Sequence, residues 1–71
     1  MIEPQRTIVF AAHERPLVEV LIEGRWLSGE LRMWVQDQNG DWTANVRYTD
    51  EAHFNFVTTV VAEQVRKVDE T

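Results

Sequence analysis

Hydrolytic and metal sites are built from histidine, serine, cysteine and carboxylates, and this chain spaces those residues for neither. His13 and His53 are its two histidines. They stand far apart, each beside acidic residues, and neither shows metal-ligand spacing. Ser28 is the single serine and has no nucleophile-elbow context. Cysteine is absent, and no pair of carboxylates falls where burial would split their pKa values. In a chain of 71 residues, a pocket deep enough for a substrate would compete with the core itself. The expectation is a protein that is not an enzyme and uses no cofactor and no metal. Residues suited to recognition are better represented. Trp26, Trp34, Arg32 and Arg47 are side chains of the kind that anchor protein interfaces, and Leu21 extends the same patch.

What places those side chains is a backbone that alternates almost everywhere with a period of two. Residues 1–6 are polar, and residues 7–11 form a short β-prone run ended by His13-Glu14-Arg15-Pro16. Pro16 holds Arg15 in an extended or turn conformation. Over residues 17–23, Val18, Val20 and Ile22 fall on one side, with Glu19, Leu21 and Glu23 on the other. Gly24-Arg25 then fits a tight hairpin turn. Read as a two-residue turn, it sets Ile22 opposite Leu27, Val20 opposite Gly29 and Val18 opposite Leu31. Asn39-Gly40 is the strongest turn signal, since both residues tolerate positive φ. As a second two-residue turn it sets Val35 opposite Ala44, Met33 opposite Val46 and Leu31 opposite Tyr48. The two turns predict a three-stranded meander whose apolar face includes Met33, Val35, Trp42 and Tyr48.

Residues 50–53 read as a loop and residues 54–61 as a further strand, rich in β-branched and aromatic types. Ala62-Glu63-Gln64 reads as one helical turn before a last short strand at Val65-Arg66. The competing reading is a terminal helix over residues 60–68, because Val61, Val65 and Val68 recur at helical spacing. An apolar sheet of this size must curl on itself, and a small barrel of five strands is the simplest closure. The chain is read as one domain with its core in residues 17–66 and loose ends at 1–6 and 69–71.

On the opposite face of that meander the same registers place Leu21, Trp26, Arg32, Trp34 and Arg47. Arg32 would stand directly across from Arg47, an unfavourable pair unless Glu30 or an acidic partner relieves it. A tryptophan facing solvent in mid-strand calls for cover, which Ile8 and Phe10 could supply, or for a partner. The expected function is therefore a binding module that contacts a protein partner, or a second copy of itself, through this aromatic and arginine patch.

The formal charge of −5 argues against a general nucleic-acid coat, since phosphate contacts need a basic field. A nucleic-acid accessory domain stays open as an alternative, because every basic residue except Lys67 is an arginine. No apolar run has the length of a membrane helix. No basic stretch followed by an apolar one opens the chain. Together with the lack of cysteine, these features lead to the expectation of a cytoplasmic protein without a membrane partner.

Val20, then Gly24-Arg25-Trp26-x-x-Gly29-Glu30-Leu31, Gly40-x-Trp42, Val46-x-Tyr48-x-Asp50 and Val65-Arg66 form a pattern that resembles Tudor and Agenet domains of the SH3-like barrel group. The likeness covers roughly residues 17–66. It implies a small all-β, five-stranded SH3-like barrel with a short helical turn before the last strand. The chain is also similar to short uncharacterised proteins of actinobacteria. Tudor domains read methylated lysine or arginine through an aromatic cage. The resemblance implies such a cage from Trp26, Tyr48 and Phe54, with Asp50 as anionic partner. Strand parity offers the plainer alternative that Tyr48 points into the core and Phe54 plugs the barrel end.

Overall fold

The structure, a computed structural model, describes residues 6–68. It is all-β: β1 (Arg6–Val9), β2 (Leu17–Ile22), β3 (Arg25–Gln36), β4 (Trp42–Thr49), β5 (Asn55–Val61) and β6 (Val65–Lys67), with single 3-10 turns at Ala12–Glu14 and Ala62–Gln64. All six strands join one antiparallel sheet in the order β5-β4-β3-β2-β6, with β1 added to β3. β5 and β6, the two ends of that order, are not paired to each other. The expected five strands thus become six, because residues 6–9 join the sheet. The helical turn and last strand stand as expected, and no terminal helix forms over residues 60–68. The ends expected to be loose, apart from Arg6 in β1, lie outside the described residues.

β3 is long enough to carry two partners on one edge. Its first half pairs with β2 and its second half with β1. The handover comes at residues 31 and 32, where the Leu31 N–H donates to the Pro16 carbonyl and the Phe10 N–H donates to the Arg32 carbonyl, each at 3.0 Å. A β-bulge sits at the same place, between Leu31 and Met33. An extra residue in one strand bends it and raises its twist, which lets two successive segments follow a single edge.

The first hairpin turns one step earlier than its sequence suggests. Glu23 (φ 50) and Gly24 (φ 81) form the turn, and Ile22 pairs with Arg25. Positive φ at both central positions is the type I′ arrangement, whose twist matches that of the flanking strands. Val20 then faces Leu27, and Val18 faces Gly29. The register moves by two residues, so the inward side chains stay inward.

The second hairpin differs in a way that changes faces. Asp37 pairs with Asp41 through its N–H (2.9 Å), leaving a three-residue loop over residues 38–40 with Gly40 at φ 88. The Asp37 carboxylate accepts the N–H groups of Asn39 (2.8 Å) and Asp41 (2.9 Å) and so selects this loop over the two-residue turn. Trp34 now pairs with Ala44, and Gln36 with Trp42. Beyond the bulge Leu31 pairs with Val46, and Gly29 with Tyr48. The outer half of β3 is therefore inverted relative to expectation. Trp34 packs against the core, while Met33 and Val35 pair with Asn45 and Thr43 on the opposite face.

The core is Val18, Val20, Leu31, Ala44, Val46 and Val60, with Phe10, Ile22, Trp34 and Val65 packed against it. Fully burying a valine-sized side chain stabilises by about 1.5 kcal/mol. Gly29 is needed where β3 meets β4, since a Cβ there would lie 2.7 Å from the Arg47 carbonyl oxygen.

Candidate functional site

The tips of the β2–β3 hairpin and the β4–β5 loop stand together at one end of the sheet. Between them lies an open cleft of about 510 Å³. Its aromatic wall is a stacked pair, Tyr48 on Phe56, with ring centroids 5.4 Å apart and planes 27° from parallel. The stack follows from the ladder, because Tyr48 and Phe56 are direct cross-strand partners on the inward face. Phe56 keeps 44% of its surface exposed. Leu27 and Ile22 floor the cleft, and Glu23, Asp50 and Glu51 bring carboxylates to its rim. The Arg25 guanidinium pairs with the Glu51 carboxylate across the opening.

Asp50 also organises the loop. Its side chain accepts the N–H groups of Ala52 (3.0 Å) and Phe54 (2.9 Å), while its own N–H donates to the Phe54 carbonyl (3.0 Å). This holds His53 at φ 67, in the left-handed region, and sets the phase of β5 that turns Phe56 toward Tyr48.

The predicted cage is brought together only in part. Tyr48 and Asp50 line the cleft. Phe54 lies outside it, 64% exposed, and Phe56 takes the place expected of it. Trp26 is on the other face of the sheet, opposite Leu21. The Arg66 guanidinium stacks over the Trp26 ring at 4.0 Å and donates through Nε to Glu19 Oε1 at 2.8 Å. Trp26 is thus already engaged by a cation from β6.

The predicted patch is divided as well. Leu21 and Trp26 are neighbours, and Arg47 and Arg32 lie further along the sheet. Trp34 belongs to the inward face. The like-charge opposition of Arg32 and Arg47 does not arise, because the bulge sets Arg47 across from Glu30. Arg32, at the bulge, donates to Asn45 Oδ1 (3.2 Å), and Asn45 Nδ2 donates to Thr59 Oγ1 (3.3 Å). Ile8 of β1 pairs with Trp34 and supplies part of the cover that tryptophan requires.

A second, apolar groove of about 320 Å³ lies at the opposite end of the inward face, lined by Ile8, Trp34, Trp42 and Ala62. Trp34 and Trp42 meet edge to face there, centroids 6.3 Å apart at 87°. Sequence reasoning missed Phe56, Glu23 and Glu51 as cleft residues and Trp42 as a groove residue. The register between β4 and β5 would have found Phe56, since Tyr48 already carried inward parity.

Among the described residues, no three of His, Asp and Glu are grouped as metal ligands, and no helix is long and apolar enough to cross a membrane. Compared with protein-family models, with curated proteins and with solved structures, the chain finds no match in any of the three.

Proposed function

We propose that this chain is a non-catalytic binding module that takes a basic side chain of a protein partner, an arginine above all, into the cleft between the β2–β3 and β4–β5 tips. The observation that carries this reading is the stacked Tyr48–Phe56 pair standing beside Glu23 and Asp50, with Glu51 paired to Arg25, a guanidinium the cleft already holds at its opening. A ring face attracts a cation, and nearby carboxylates add charge to that attraction. Because the two rings cover one face of each other, they present a wall and not an enclosure. A planar guanidinium stacks on such a wall, whereas a trimethylated ammonium gains most from rings on several sides. The overall charge of −5 favours a basic partner and disfavours nucleic acid.

The SH3-like barrel of the Tudor type is the fold reading that goes with this function. In its support, three strands form a meander, a fourth follows, and a single 3-10 turn returns the last strand to the first strand of the meander. A second protein-binding surface is favoured by the groove of Ile8, Trp34, Trp42 and Ala62, where two indoles are incompletely covered.

Titration by NMR with four matched short peptides, carrying arginine, lysine, trimethyl-lysine or citrulline, tests the proposal. The arginine peptide is expected to bind most tightly, with saturable shifts at Tyr48, Phe56 and Glu51. Phe56→Ala is expected to weaken it about two- to five-fold, equivalent to an exposed cation–π contact of about 0.5–1 kcal/mol. Equal binding of the citrulline peptide, or no saturable shift with any of the four, sinks the reading.

A further inference from the structure

We infer that β5 is the seam of a two-fold homodimer, formed by antiparallel pairing of Asn55–Val61 with the same strand of a second copy. β5 pairs only with β4 and ends the strand order. The segment Asn55-Phe56-Val57-Thr58-Thr59-Val60-Val61 contains no charge, proline or glycine. Natural edges are blunted by lysine, proline, bulges or short length, and this one has none of these. Val57 is 54% exposed and Val61 48%. The opposite end of the sheet is protected, since β6 has three residues and carries Arg66 and Lys67.

The backbone phase suits self-pairing. The Asp50 N–H donates to the Phe54 carbonyl, so Phe54 faces β4 through its main chain. Alternation then directs the N–H and C=O groups of Phe56, Thr58 and Val60 at β4 and those of Asn55, Val57, Thr59 and Val61 away from the sheet. A two-fold axis through Thr58 sets Val57 against Thr59 of the other copy and Asn55 against Val61, all with outward-directed groups, forming about eight backbone hydrogen bonds. In between, Phe56 stands opposite Val60 of the other copy and Thr58 opposite Thr58. Aromatic with β-branched and threonine with threonine are favourable cross-strand pairs. Each opposed pair is uncharged, so the contact brings none of the −5 charge of one copy directly against the other. A second copy therefore satisfies the edge better than an arbitrary extended peptide, which would have to match the same phase without charge.

A single strand pair covers less than the roughly 800 Å² per partner of a standard interface, so association is expected to be weak and concentration-dependent. Sedimentation of the whole chain from about 20 μM to about 1 mM should show the mass rising from 8.3 kDa towards twice that value. The double variant Val57→Lys/Thr59→Lys opposes lysines across the seam and should stay monomeric, as should Val57→Glu/Thr59→Glu. An equimolar mixture of the two should restore the dimer. Hydrogen exchange on the wild-type chain is a check that needs no variant: the Val57, Thr59 and Val61 amides should slow at high concentration. A wild-type chain that remains monomeric to 1 mM, leaving the edge to a foreign strand, overturns the proposal. So does dimerisation that survives the lysine pair, or edge amides that exchange equally fast at both concentrations.

Discussion

Glu23 serves two ends that pull against each other. It occupies a left-handed position (φ 50) in the β2–β3 turn, where a Cβ crowds the following carbonyl, and its carboxylate stands on the rim of the aromatic cleft. Asparagine followed by Gly24 is the preferred type I′ pair. Glu23→Asn is therefore expected to raise stability by about 0.5–1 kcal/mol, read as a higher urea midpoint at unchanged slope. The same change should weaken arginine-peptide binding about two-fold, the size expected for one exposed charge. Gly29 has the opposite character. Its inward Cβ would meet the Arg47 carbonyl at 2.7 Å and the Tyr48 Cβ at 3.2 Å. Gly29→Ala is expected to cost about 1–3 kcal/mol, because neither backbone nor β-carbon can swing aside. An unchanged denaturation midpoint in that variant would show that β3 and β4 part there easily.

Most strands were legible from period-two alternation, and their boundaries were set by Gly24, Gly40 and Pro16. The faces were harder. The Asn39-Gly40 dipeptide reads as a two-residue turn, but Asp37 reaches forward with its carboxylate and makes a three-residue loop. The bulge at Arg32 then adds one residue on β3 and restores the pairing of inward with inward at Leu31 and Val46. The two departures cancel over half of β3 and leave only the segment from Met33 to Gln36 inverted. Arginine carries no signature of a bulge, so nothing local announced it, and Trp34 changed sides with it. The cleft was half legible: Tyr48 and Asp50 were named, while Phe56 depended on a β4–β5 register that only the Asp50-capped loop decides. Deletion of Arg32 is expected to leave every pair from Leu31–Val46 to Gln36–Trp42 intact, because the ladder closes up around the missing residue. The loss should fall on the handover of the β3 edge from β2 to β1. Amide exchange in β1 should then rise, with the Trp34 indole resonance in NMR spectra still that of a half-buried ring; a Trp34 indole that exchanges as a free one would contradict the pairing.

Across the whole molecule, the charged rim of the cleft and the uncharged β5 edge meet at Phe56, which stacks on Tyr48 and stands opposite Val60 across the proposed seam. The cleft draws its charge from the two tips, whereas β5 carries none. Val57 and Thr59 lie on the face away from Tyr48, so substitutions there should leave peptide binding intact while changing the oligomeric state. Arg66 fastens one end of the sheet, lying over Trp26 and pairing with Glu19 so that the short β6 is held to β2 by side chains as well as by its ladder. The brevity and positive charge of that strand have a further result. A ribbon that can be extended at both ends of its strand order grows without limit, but one whose order is open only at β5 stops at two, so pairing through β5 by itself should leave concentrated solutions clear and fibre-free.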